Sequence, residues 1–99
     1  MNTKILWETP NKECAKKDRR EYDDESIVIC FLSKRIKPVC LEAHDNRMVW
    51  IFDYNDVAEL HNGMFSGAEI SVDYHDVVDA KRKWLDGLFM LRSYIKSNA

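Results

Sequence analysis

Three histidines, three cysteines and two close pairs of carboxylates are the residues of this 99-residue chain whose types could do chemistry. A zinc site needs three or four ligands, and short pairs such as HxxxH or CxxC are its usual signature. His44, His61 and His75 form no such pair, nor do Cys14, Cys30 and Cys40. A site joining Cys40, His44 and His61 exists only if the fold gathers them. His44-Asp45 and His75-Asp76 are two HD dipeptides, and metal-dependent phosphohydrolases need further histidines in a larger helical domain. Asp53/Asp56 and Asp76/Asp79 are spaced to share a helical face. Both pairs fall where helices are expected to start, and acids are favoured there for the helix dipole alone. No GxSxG elbow and no phosphate-cradling GxxxxGK[ST] loop is present, and the chain has only three glycines. The expectation is a protein without catalytic residues, metal or cofactor.

The cysteines also bear on compartment. Their odd number and irregular spacing argue against a disulfide framework. Cys30 and Cys40 sit among apolar neighbours and read as reduced, buried side chains. Cys14 lies among lysines, which favour a thiolate, and is the candidate reactive thiol. No apolar run approaches the ~20 residues of a membrane-spanning helix. No signal-peptide pattern opens the chain. A cytoplasmic protein is expected.

Charge is unevenly placed. Residues 1–40 carry a net +2, residues 41–79 a net −8, and residues 80–99 a net +4. The acidic middle supplies Glu42, Asp45, Asp53, Asp56, Glu59, Glu69, Asp73, Asp76 and Asp79. Such a stretch could compete for a basic, nucleic-acid-binding groove on another protein, with charge raising the association rate and fixing orientation. The partner-binding residues expected on this reading are Glu42, Asp45, Asp53, Asp56, Glu59, Asp76 and Asp79. Lys12, Lys16, Lys17, Arg19 and Arg20 form a basic cluster that could instead neutralise phosphates, and Lys81-Arg82-Lys83 forms a second.

The elements that must position these residues follow from periodicity. Residues 1–23 read as an N-terminal polar arm or extension, with Ile5-Leu6-Trp7 as a short apolar cluster. Residues 24–99 read as a single α+β domain. Asp24-Glu25-Ser26 is a helix-start signal, whereas the β-branched run from Ile27 to Leu32 suits a strand equally well. Val39–Ala43 and Met48–Phe52 form a β-hairpin about Asp45-Asn46. The second arm is apolar on both faces and belongs inside the sheet. A short helix follows over 56–65, capped by Asp53 or Asn55. Ala68–Val72 reads as a third strand. Asp73 caps a long helix over 74–96, with Val77, Ala80, Trp84, Leu88, Leu91 and Ile95 in one stripe, widened by Val78, Leu85 and Phe89. The expected core uses Ile29, Phe31, Leu32, Leu41, Val49, Ile51, Leu60, Val77, Trp84, Leu85 and Leu88.

The stretches IVICFLSKRIKPVCLEA, VWIFDY and EISVDYHDVVDAKRKWLDGL resemble a small uncharacterised α+β domain family of bacterial and phage genomes. Its order is helix, hairpin, helix, helix, and the resemblance covers residues 27–91. It implies a helix rather than a strand before the hairpin. Arg35-Ile36 departs from the family pattern, in which glycine commonly ends that helix. The resemblance carries no activity, but it implies a phage or mobile-element origin.

The expected architecture is therefore α+β: a small antiparallel β-sheet of two to three strands packed against a long C-terminal helix, with one helix before the hairpin and a short one after it. The expected function is non-enzymatic binding to another protein, such as a phage-encoded inhibitor of a host nucleic-acid-processing defence complex (anti-CRISPR-like). The alternative is a small nucleic-acid-binding regulator using residues 12–20. A homodimer through the hairpin edge or the last helix is compatible with either.

Overall fold

The computed structural model describes residues 3–9 and 18–97. Its elements are β1 (Thr3–Glu8), β2 (Arg19–Tyr22), α1 (Glu25–Ser33), β3 (Cys40–His44), β4 (Arg47–Asp53), α2 (Tyr54–Phe65) and α3 (Tyr74–Ser97). The strands form one antiparallel sheet in the order β1-β3-β4-β2. The molecule is thus α+β with an antiparallel sheet and a long C-terminal helix.

Among the described residues the sheet has four strands, not two or three. Both additional strands come from before residue 24: β2 is too polar to show a strand period, and the irregular register between Ile5 and Trp7 breaks the period of β1. Ala68–Val72 is not a strand. β1 and β2 form the two edges of the sheet.

The apolar run Ile27–Leu32 is helical. Asp24 caps it, its carboxylate accepting from the Ile27 backbone N–H at 3.1 Å. Val28, Phe31 and Leu32, spaced i, i+3, i+4, are its buried apolar residues, while Ile27 and Ile29 pack at the border. The helix ends in a Schellman pattern. The Ile36 N–H reaches the Phe31 carbonyl and the Arg35 N–H reaches the Leu32 carbonyl. Arg35 holds the left-handed position at φ 63°, where glycine is usual.

Between β3 and β4, Asp45 turns the hairpin at φ 57°. Alternation along the two strands then sorts their side chains. Leu41, Ala43, Met48, Trp50 and Phe52 join Val28, Phe31, Val57, Ala80, Trp84 and Leu91 in the main core, so all three helices lie on one face of the sheet. Trp50 stacks on Trp84 with centroids 6.1 Å apart, and Tyr22 meets Phe31 and Phe52 edge-on. Fully burying a side chain such as Phe31 or Phe52 contributes about 1.5–3 kcal/mol. Val39, Cys40, Val49 and Ile51 form a separate buried cluster on the other face, to which no helix residue belongs. β4 is interior and covered on both sides.

Of the expected core, Phe31, Leu32, Leu41, Val49, Ile51 and Trp84 are buried, and Ile29, Leu60, Val77 and Leu88 are half-buried. Leu85 is not a core residue, being 51% exposed, and Phe89 beside it is 71% exposed. The residues of α3 that face inward are Ala80, Trp84, Gly87 and Leu91. A 3.6-residue period places Leu85 and Phe89 well round the helix from them.

Candidate functional site

Cys40, Glu42 and His44 alternate along β3 and therefore share the face of the sheet away from the helices. Arg19 and Glu21, paired in register with Asp53 and Ile51 of β4, point to the same side. The five side chains converge. Glu42 is only 4% exposed. Its Oε1 accepts from Arg19 Nη2 at 2.6 Å and from His44 Nε2 at 2.8 Å. Cys40 Sγ lies 3.7 Å from Oε2, and Arg19 also reaches Glu21 at 3.4 Å.

A hydrogen bond to a carboxylate requires His44 to carry its proton on Nε2. Burial alone would push the Glu42 carboxyl up, but the hydrogen bonds from Arg19 and His44 outweigh it and hold the group below its usual range. Burial, reinforced by the Glu42 charge, pushes the Cys40 thiol up to about 12. A thiol held protonated is a poor nucleophile.

Glu21, Glu42 and His44 place one potential ligand atom each within 4.8 Å of one another. That donor set would suit a divalent ion, but Arg19 already contacts both carboxylates and supplies the counter-charge. A cation there would have to displace the guanidinium. The cluster does not involve His61, whose Nδ1 lies 3.0 Å from the Tyr22 hydroxyl.

A second feature lies on the helical face. A cleft of about 620 Å³ opens between α3, the start of β3 and the edge strand β1, with Trp7, Leu32, Leu41, Trp50 and Met90 among its walls. Trp50 is buried, and its indole Nε1 has no hydrogen-bond partner among the described residues. Gly87 brings α3 against the sheet beside the cleft. A Cβ there would sit 2.9 Å from Trp50 Cζ2 and 3.0 Å from Met48 Sδ.

The acidic residues expected to bind a partner do not form one surface. Glu42 is buried in the ion pair just described and offers no exposed carboxylate. Asp53 is half-buried and caps α2, accepting from the Asn55 N–H. Asp76 pairs with Arg35 at 3.0 Å. Asp56 and Glu59 are exposed on α2, and Asp79 is exposed on α3 with Arg82 3.9 Å away. Asp45 sits in the β3–β4 turn, at the far end of β4 from Asp53.

The basic cluster is divided too. Arg19 is held by Glu42, and Arg20 lies over the Tyr54 ring at 4.3 Å. Lys12, Lys16 and Lys17, and the candidate thiol Cys14, lie outside the described residues.

The sequence reading did not foresee Arg19 as the partner of Glu42, nor the cleft. The C-x-E-x-H spacing of residues 40–44 on a strand was the available signal for the polar cluster. Nothing local marked the cleft, whose walls come from β1, α1, β3, β4, α2 and α3.

No family model, curated protein or solved structure matches the chain. Among the described residues, no helix is long and apolar enough to cross a membrane.

Proposed function

We propose that the protein is a non-enzymatic module that binds another protein through the outer face of α3. One observation carries this reading: Leu85 and Phe89, large apolar residues four apart on one side of the longest helix, are left exposed at 51% and 71%. Val78 extends the same side toward the helix start, beside a groove it shares with Ile29 and Leu85. Large apolar side chains grouped on a surface mark interaction sites, and aromatic anchors carry much of the energy at such sites. Of the expected acidic surface, Asp56 and Glu59 on α2 and Asp79 on α3 are exposed and left to meet a basic partner, while Lys81 and Arg82 border the groove itself. That the partner is a host nucleic-acid-processing complex rests on the acidic stretch 42–79, which would suit a basic nucleic-acid-binding groove, and on the phage origin that the resemblance implies.

Affinity capture from a host lysate tests the reading. The wild-type chain should retain a specific protein, and a Leu85→Glu/Phe89→Glu variant that folds normally should lose it. Retention of the same partner by that variant overturns the α3 surface. Neutralising Asp56, Glu59, Asp76 and Asp79 together should weaken capture, and unchanged capture removes the acidic component. The nucleic-acid reading gains nothing from Arg19 and Arg20, which are engaged within the fold. A salt titration against generic duplex DNA decides it, since no binding at low salt ends that reading.

A further inference from the structure

We propose that the cleft beside Gly87 is a binding site for a small aromatic zwitterion, the chemistry of a free aromatic amino acid. Three observations, independent of the α3 outer face, lead there.

The first is size and lining. About 620 Å³ lies within the range of small-molecule sites, and the inner walls are apolar and aromatic, as in such sites. The second is how Trp7 reaches it. Ile5 pairs with Glu42, and Trp7 pairs with the very next residue, Leu41. Leu6 is therefore an extra residue, and the strand bulges there. Without the bulge, Ile5 and Trp7 would point to the same face of the sheet. With it, Trp7 turns to the helical face, lines the cleft and remains 40% exposed. Bulges commonly re-aim a side chain next to a functional site. A half-exposed indole on one wall, with Trp50 in another, offers flat surfaces for an aromatic ring.

The third observation is charge. Lys37, Lys83, Asp56 and Asp86 also line the cleft. All four are exposed, and none is in an ion pair among the described residues. Arg35, Arg47 and Lys81 elsewhere on the surface each have a carboxylate partner. Two unpaired cations and two unpaired anions around one apolar opening complement a ligand carrying both a carboxylate and an ammonium. A purely apolar ligand would leave all four unused, and a simple anion would meet two like charges.

The test is titration of the full chain with L-phenylalanine, followed by protein tryptophan fluorescence and by calorimetry. Saturable binding with a Kd near or below about 1 mM is expected for a ligand of this size. N-acetyl-L-phenylalanine amide, which keeps the ring and loses both charges, should bind at least tenfold more weakly. Lys83→Glu and Asp86→Lys are exposed changes expected to leave the fold intact. Each should weaken L-phenylalanine several-fold, as should Trp7→Ala, with thermal melts confirming folding. Absence of saturable binding by L-phenylalanine, L-tyrosine and L-tryptophan overturns the proposal. Equal binding of the capped amide also overturns it, because the cleft would then read an aromatic side chain within a polypeptide. Undiminished binding by all three variants places any ligand elsewhere.

Discussion

Arg19 Nη2 lies 2.6 Å from Glu42 Oε1, although the two residues belong to strands that are not neighbours. β4 runs between them, so the ion pair ties the edge strand β2 across β4 to β3. Removing one partner of a buried pair leaves a charge uncompensated, which typically costs 3–5 kcal/mol. Arg19 is partly exposed, so Arg19→Met should cost about 2–3 kcal/mol at pH 7 in urea unfolding. The double variant Arg19→Met/Glu42→Gln should recover part of that loss. Strict additivity of the two single changes would mean that the residues do not interact.

The same pair sets a pH dependence. The folded Glu42 pKa lies below its unfolded value of about 4.3. Its contribution is therefore fully present above that value and is lost as pH falls through the lower, folded value. The stability difference between wild type and Glu42→Gln should shrink as pH falls below about 4. A difference that instead grew on acidification would contradict the assignment.

Cys40 should be inert in the native protein. With its pKa at about 12, roughly one thiol in ten thousand is ionised at pH 8, against about a quarter for an ordinary cysteine. Site-resolved alkylation by mass spectrometry should show Cys40 labelling at least about a thousandfold slower folded than in urea. Rapid native labelling would mean that the face carrying Glu42 is open.

Gly87 looks like a weak point in α3, since alanine is favoured by about 1 kcal/mol in a helix interior. Gly87→Ala should nonetheless destabilise the protein. Its Cβ would press on Trp50, Met48 and Leu41, and overpacking of this kind costs about 1–3 kcal/mol. A net loss of about 1 kcal/mol is expected in thermal unfolding. A gain in stability would mean that α3 sits farther from the sheet.

Arg35→Gly should act in the opposite direction. The residue holds φ 63° at the end of α1, where an L side chain costs roughly 1–2 kcal/mol and glycine does not. The gain is partly offset by glycine's freedom in the unfolded chain and by loss of the exposed pair with Asp76. A net stabilisation of about 0.5 kcal/mol is expected from denaturant midpoints. A clear destabilisation would give the Asp76 pair more weight than exposed pairs usually carry.

The hairpin, the caps at Asp24 and Asp53, and the long last helix were legible because each is a local pattern. Apolar residues on both faces from Met48 to Phe52 marked β4 as interior, and the charges and stripe of residues 74–96 marked α3. What escaped was set at long range. Arg19–Tyr22 carries too little apolar character to read as a strand, and it becomes one by pairing with β4 more than 25 residues later. Leu85 and Phe89 fit the helical period, but one apolar face already fills the space against the sheet. Glu42 was read as part of an acidic surface because it lies in the net −8 stretch of residues 41–79. Its burial comes from Arg19 and His44, and only the first of these lies far away in the chain.

The strand order has a consequence for how the chain comes together during synthesis. β1 pairs only with β3, and β2 only with β4. Residues 3–22 thus leave the ribosome before either partner exists, and β2 has no docking place until Asp53 has emerged. The central hairpin can close on its own, with contacts a few residues apart, whereas both edges must wait for it and then close loops of some 30 residues or more. The half-life of that waiting interval, rather than the strength of the finished sheet, sets how long the two early strands are open to pairing with another chain.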